Sequence, residues 1–154
     1  MPSLYLICGF LGAGKTTYSK KLALETGAQY FNTDEWVVKL FPQSEYENNW
    51  EKCFEAATNA IWAEIKSCAQ NGQSAIFDAG FWTRAERDNA RKKASEIGMT
   101  PVVYYVYAPD AVLKQRISQR HGKIAQNNIK NFDKIKKLFE APDASEKFIL
   151  INNF

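Results

Sequence analysis

The sequence predicts an α/β fold in which a parallel sheet of five strands is covered on both faces by helices. Three observations carry that expectation. Short apolar runs alternate with longer amphipathic ones along the 154 residues, the rhythm of repeated strand–helix units. The first apolar run passes directly into a glycine-rich turn and then into a helical pattern. No repeat or linker rich in Gly, Pro or Ser divides the chain, so residues 1–154 read as one domain of common size.

Each element has its own justification. Leu4 to Cys8 is apolar and reads as the first strand. Lys15 to Glu25 places Tyr18 and Leu22 at helical spacing and stops near Gly27, a C-cap residue. Gln29 to Asn32 is a short second strand, followed by the polar Thr33 and Asp34. From about Glu45 to Gln70 the residues Phe54, Ala57, Ile61 and Ile65 form one stripe, which predicts a long helix ended by Asn71-Gly72. Ala75 to Phe77 is a third strand running into Asp78. Arg84 to Ile97 reads as a helix closed by Gly98, and Val102 to Tyr107, dense in Val and Tyr, as the fourth strand. Pro109 introduces a helix over Asp110 to Arg120. A polar stretch follows, then a helix near Ile129 to Phe139 and a last strand at Phe148 to Ile151.

Composition excludes several classes. Hydrophobic residues at 45% and charged residues at 24% are ordinary for a globular protein. A net charge of +3 suits a polyanionic small ligand and is too small for a nucleic-acid coat protein. Cys8, Cys53 and Cys68 are odd in number and contain no CxxC pair, which fits reduced buried thiols. The first residues lack the basic leader and apolar core of a signal peptide, and no apolar run approaches a membrane span. The expected location is the cytoplasm, with no membrane partner.

The strongest motif is Gly9-Phe10-Leu11-Gly12-Ala13-Gly14-Lys15-Thr16, which fits the P-loop pattern G-x-x-x-x-G-K-[ST] between a strand and a helix. Glycines let the backbone curl so that successive N–H groups point at phosphate oxygens. The helix that begins near Lys15 aims its positive end at the same anion. Lys15 is placed to reach the β- and γ-phosphates, and the Thr16 hydroxyl to ligate magnesium. Gly9, Leu11, Gly12, Ala13, Gly14, Lys15, Thr16 and Thr17 are the expected nucleotide-binding set.

Ligands of open α/β sheets bind outside the carboxyl ends of the strands, so the residues after the other strands come next. Asp34 is placed to accept a proton from an attacking hydroxyl, or to cap the following helix. Asp78 closes a short Walker-B-like run and is a candidate for the magnesium side, or for an N-cap or loop hydrogen bond. Phe81 and Trp82 are candidate walls of an acceptor pocket or plain core, and Arg87 a ligand for an acceptor or phosphate. Trp36 stands beside Asp34. Arg116 and Arg120, four apart on one helix face, are candidates for a lid over residues 116–130 that closes on a triphosphate; the alternative is a basic helix end. His121 reads as a surface residue of that lid.

These motifs together resemble a group of small P-loop kinase-like proteins labelled as AAA-domain ATPases, akin to zeta toxins, chloramphenicol phosphotransferase and the kinase half of polynucleotide kinase. The resemblance runs over nearly the whole chain: Cys8-Gly9 through Thr17, Thr33 to Trp36, Asp78 to Arg87, Ala108-Pro109 with Arg116 and Arg120, and Phe139 to Pro142. It implies a three-layer P-loop NTPase fold with strand order 2-3-1-4-5, Asp34 as acceptor base, Lys15 on the phosphates, and Arg116 and Arg120 in a lid. Polynucleotide kinases of this group carry an arginine three residues after the base, where this chain has Val37, and Thr-Asn after the third-strand aspartate, where it has Ala79-Gly80. Both departures count against a nucleic-acid acceptor.

The leading expectation is a kinase using ATP and magnesium, with catalytic Lys15, Asp34, Arg116 and Arg120. Its acceptor is a hydroxyl-bearing small molecule bound by Asp34, Trp36, Phe81, Trp82 and Arg87, and its metal side is Thr16 and Asp78. The rivals are an ATPase or nucleotide switch without an acceptor, a 5′-hydroxyl polynucleotide kinase, and a nucleotide-binding module without chemistry. ATP is preferred to GTP because no Asn/Thr-Lys-x-Asp motif follows a strand.

Overall fold

The computed structural model describes residues 1–154. Its elements are β1 (Ser3–Cys8), α1 (Lys15–Thr26), β2 (Gln29–Asn32), α2 (Thr33–Leu40), α3 (Gln43–Asn48), α4 (Trp50–Gln70) and β3 (Ala75–Gly80). They continue with α5 (Arg84–Glu96), β4 (Thr100–Tyr107), α6 (Asp110–Ser118), α7 (Lys123–Lys130), α8 (Phe132–Lys136) and β5 (Ile149–Asn152). The sheet is parallel throughout in the order β2-β3-β1-β4-β5, as the resemblance implied.

Central strands of such a sheet are buried on both faces and so read as continuous apolar runs. In β1, Leu4, Leu6, Ile7 and Cys8 are all buried, and in β3 so are Ala75, Ile76 and Phe77. Leu6 pairs with Phe77, whose ring meets Trp62 of α4, so α4 covers that face. Tyr5 stacks on Tyr104 of β4, and Tyr104 meets Tyr18 of α1, so α1 covers the other. The two layers join one core that runs from Leu4 to Phe139.

Four boundaries differ from the sequence expectation. The stripe over 45–70 is two helices, because Asn49 leaves the helical region (φ −134°, ψ 48°) and the chain bends there. The third strand runs on to Gly80, which puts Asp78 inside the sheet opposite Ile7 and Asn32. The helix after β2 is capped by Asn32, whose side chain accepts from the Glu35 N–H, so Asp34 is not the cap. The polar stretch before residue 129 is itself helical as α7, and the helix expected to reach Phe139 is broken at Asn131.

Candidate active site

The loop between β1 and α1 takes its shape from Gly12 and Gly14, at φ +80° and +89°, values that side chains resist. A Cβ on Gly9 would lie 2.8 Å from the Val106 carbonyl oxygen, and one on Gly12 would lie 3.1 Å from that of Leu113. The P-loop glycines are therefore fixed by close packing as well as by curvature. Gly14 caps α1 without a side-chain acceptor, and the first turn of α1 has no carboxylate. Its free N–H groups and positive dipole end face the cleft, the arrangement that binds phosphate.

The cleft has a volume of about 480 Å³ and lies at the carboxyl ends of β1, β2 and β3, within the range of small-ligand sites. Leu11, Gly12, Gly14, Lys15, Thr16, Thr17, Asp34, Asp78, Trp82 and Arg120 of the expected set line it. The Lys15 ammonium donates to the Phe10 carbonyl at 3.1 Å. Burial lowers the Lys15 pKa, while the charges of Asp78 and Asp34 hold it up.

Asp78 is the buried charge of the site, 3% exposed and without an ion pair. One carboxylate oxygen accepts from the Asn32 amide at 3.1 Å, and more loosely, at 3.4 Å, from the hydroxyls of Thr16 and Tyr30. Burial pushes its carboxyl above the usual range, against the pull of Lys15 and these donors. A desolvated carboxylate beside a P-loop hydroxyl is a hard-oxygen donor pair that fits magnesium shared with phosphates rather than caged by protein. No group of three or more His, Cys, Asp or Glu side chains forms a self-sufficient metal cage.

Asp34 sits on the first turn of α2, exposed in the cleft and free of any side-chain hydrogen bond or ion pair. Desolvation raises its pKa, the Lys15 charge lowers it and Glu35 raises it further. Arg120 lies just past α6, also exposed in the cleft with no ion pair.

Other expected site residues stand elsewhere. Arg87 does not reach the cleft: it is 1% exposed and pairs with Glu146, with Nε to Oε1 and Nη2 to Oε2 both at 2.9 Å. Phe81 is buried against Phe77 at φ +45°, so it is core and not pocket wall. Trp36 packs on Phe31 under the Lys39 ammonium, outside the cleft lining. Arg116 turns to the back of the P-loop, donating to the carbonyls of Gly12 and Ala13 at 3.2 and 3.3 Å and to that of Asn153. Neither Gly9 nor Ala13 lines the cleft, because both are buried beneath it. Val37 is fully buried with Cys53 and Ala57, so that position offers nothing to a ligand.

Several lining residues escaped sequence reasoning. Asn32 and Thr33 follow the general rule about strand ends, but Phe54, near the start of α4, and Glu86, on the first turn of α5, carry no local signal. Asn153, whose amide donates to the Ala13 carbonyl at 2.7 Å, joins the P-loop from the far end of the chain.

The family model described as an AAA domain matches residues 4–142. No curated protein sequence matches the chain. Among solved structures, a candidate kinase from Chloroflexus aurantiacus superposes with a TM-score of 0.73 at 20% identity, over 98% of this chain and 84% of that one. A gluconokinase from Sinorhizobium meliloti gives 0.71 at 16% identity, over 99% and 83%. A sugar kinase from Janibacter sp. gives 0.69 at 19% identity, over 99% and 86%. At these identities the likeness is one of fold.

Proposed function

The chain belongs to the AAA domain family, and from that premise we propose that it is a kinase that moves the γ-phosphate of ATP to a hydroxyl of a small-molecule acceptor. One observation carries the reading. An unpaired carboxylate, Asp34, opens into the same cleft as the P-loop lysine, within its electrostatic reach. A pure ATP-binding loop has no need of a free base there; phosphoryl transfer to an alcohol does.

In this reading the P-loop N–H groups and Lys15 hold the triphosphate, and Arg120 neutralises charge as it develops on the transferring group. Thr16 and Asp78 are the residues that would hold magnesium, which when bound supplies charge neutralisation across the phosphates. The acceptor oxygen forms a bond to the γ-phosphorus as the bond to the ADP oxygen breaks, and the acceptor proton passes to Asp34. Little covalent work falls to the protein, so positioning and charge compensation set the rate.

The test is the fate of label in the terminal phosphate of ATP across an acceptor panel. Label on an acceptor supports the kinase. Label appearing only as inorganic phosphate, at a rate no acceptor changes, contradicts it and favours an ATPase switch.

A further inference from the structure

Beyond the P-loop, the residues lining the cleft include Asp34 and Glu86, the aromatic Phe54 and Trp82, and Thr33. Glu86 makes no ion pair, and its carboxylate accepts no hydrogen bond within the protein; only its backbone N–H is engaged, by the Thr83 hydroxyl. Thr33 is 1% exposed, and its hydroxyl has no hydrogen-bond partner at all. A buried hydroxyl without a partner is costly unless something else completes it, and here the residue borders an open cavity.

The only cations lining the cleft are Lys15 and Arg120, and a bound triphosphate would draw on both. The acceptor region is then left with two uncompensated carboxylates and no arginine or lysine to receive an anion. Val37, one turn beyond Asp34 on α2, is buried with Cys53 and Ala57 and presents no charge to the cleft.

We infer that the acceptor is a hydroxyl-bearing amine, cationic at neutral pH, with its ammonium on Glu86 and the reacting hydroxyl between Asp34 and the phosphate site. This rests on the kinase reading above and adds the charge class to it. Trp82 and Phe54 complement such a molecule twice over. Aromatic faces accept the apolar side of a sugar-like ring, and they attract an ammonium. A carboxylate or phosphate on the acceptor would instead face Asp34 and Glu86 with nothing to offset the repulsion, a built-in discrimination against anions.

Calorimetric titration in the presence of magnesium and a non-hydrolysable ATP analogue tests this without requiring chemistry. The probes are glucosamine, ethanolamine and kanamycin, set against glucose, gluconate and glucose 6-phosphate. At least one amine should bind at least tenfold more tightly than every neutral or anionic probe, and more weakly as salt rises. Glu86→Gln, which preserves the backbone contact to Thr83, should weaken that binding tenfold or more, while analogue binding confirms that the variant is folded. The inference is overturned if no amine binds, if gluconate or glucose 6-phosphate binds as tightly as the amines, or if Glu86→Gln changes nothing. Repeating the panel with ATP separates the two readings. An amine that binds without accepting phosphate contradicts the kinase and leaves the charge class standing. Phosphate transfer to gluconate supports the kinase and overturns the charge class.

Discussion

Arg87 donates from Nη1 to the carbonyl of Phe81 at 2.9 Å, and in doing so holds the turn that delivers Trp82 to the cleft. Phe81 adopts φ +45°, a conformation unusual for a bulky residue and kept only where the surroundings over-determine it. The Cys8 thiol donates to the same carbonyl at 3.3 Å. Glu146 fixes the guanidinium from the other side, and Arg91 reaches the same carboxylate at 2.7 Å. An arginine that looks from the sequence like a ligand for phosphate is the anchor of the loop beside the site.

Arg87 and Glu146 are 1% and 3% exposed, and without Arg87 the Glu146 carboxylate keeps Arg91 as its remaining close partner while the Phe81 carbonyl loses a donor. Arg87→Ala should therefore destabilise the protein by about 2–3 kcal/mol, the scale of lost hydrogen bonds to charged groups, measured by chemical denaturation. A loss below about 1 kcal/mol would mean that the pair does not hold the turn.

Arg116 and Arg120 should part company when each is replaced by Ala. Arg116 loses hydrogen bonds to three backbone carbonyls, a loss of about 1–3 kcal/mol in stability. Arg120 has no such contacts, so its variant should unfold within about 0.5 kcal/mol of the parent. Its phosphoryl transfer should fall on the order of a hundredfold. Equal effects of the two on stability would undo this division of labour.

Asp78 gives a pH-dependent prediction with a definite sign. Its carboxyl titrates above the usual value of 3.8 in the fold, chiefly because it is buried. The stability associated with its protonated form is complete below that usual value and is lost as pH rises through the raised one. At neutral pH the charge is thus a cost of the nucleotide-free fold. Asp78→Asn should raise the melting temperature of the nucleotide-free protein at pH 7, with the gain shrinking as pH falls through the raised value and gone below the ordinary one. The same variant should lose the extra thermal stabilisation that magnesium adds to ATP. A lower melting temperature at pH 7 would contradict the cost assigned to the buried charge.

Lys15→Ala tests the phosphate site itself. The variant should remain folded, since Lys15 makes one hydrogen bond at the cleft surface, yet show no ATP-induced rise in melting temperature. A rise equal to that of the parent would place the triphosphate elsewhere.

The parts of the site that were legible in the sequence are those whose chemistry is local. The P-loop is contiguous, and its glycines, Lys15 and Thr16 act within one turn of chain. Asp34 and Asp78 follow apolar runs whose strand character is evident, so their place at the carboxyl edge of the sheet follows from topology. What stayed hidden depends on partners far along the chain. Arg87 finds Glu146 across 59 residues, and Arg116 finds Asn153 across 37. Phe54 and Glu86 reach the cleft only because α4 and α5 pack as they do. The single helix expected over 45–70 failed at Asn49, because an unbroken apolar stripe does not report one non-helical residue. Asn32 displaced Asp34 as cap because the helix begins at Thr33, two residues sooner than a cap at Asp34 would allow.

The central claim is that Asp34 is the base that activates an acceptor, and Asp34→Asn tests it most directly. ATP affinity by calorimetry and phosphoryl transfer to the accepted probe would be measured side by side, across pH. ATP binding should stay close to that of the parent, with transfer reduced on the order of a hundredfold or more. The parent should show an acid limb above the usual 3.8, because desolvation within the cleft raises Asp34, and that limb should disappear in the variant. Transfer at the parental rate with the acid limb intact would show that another group takes the proton.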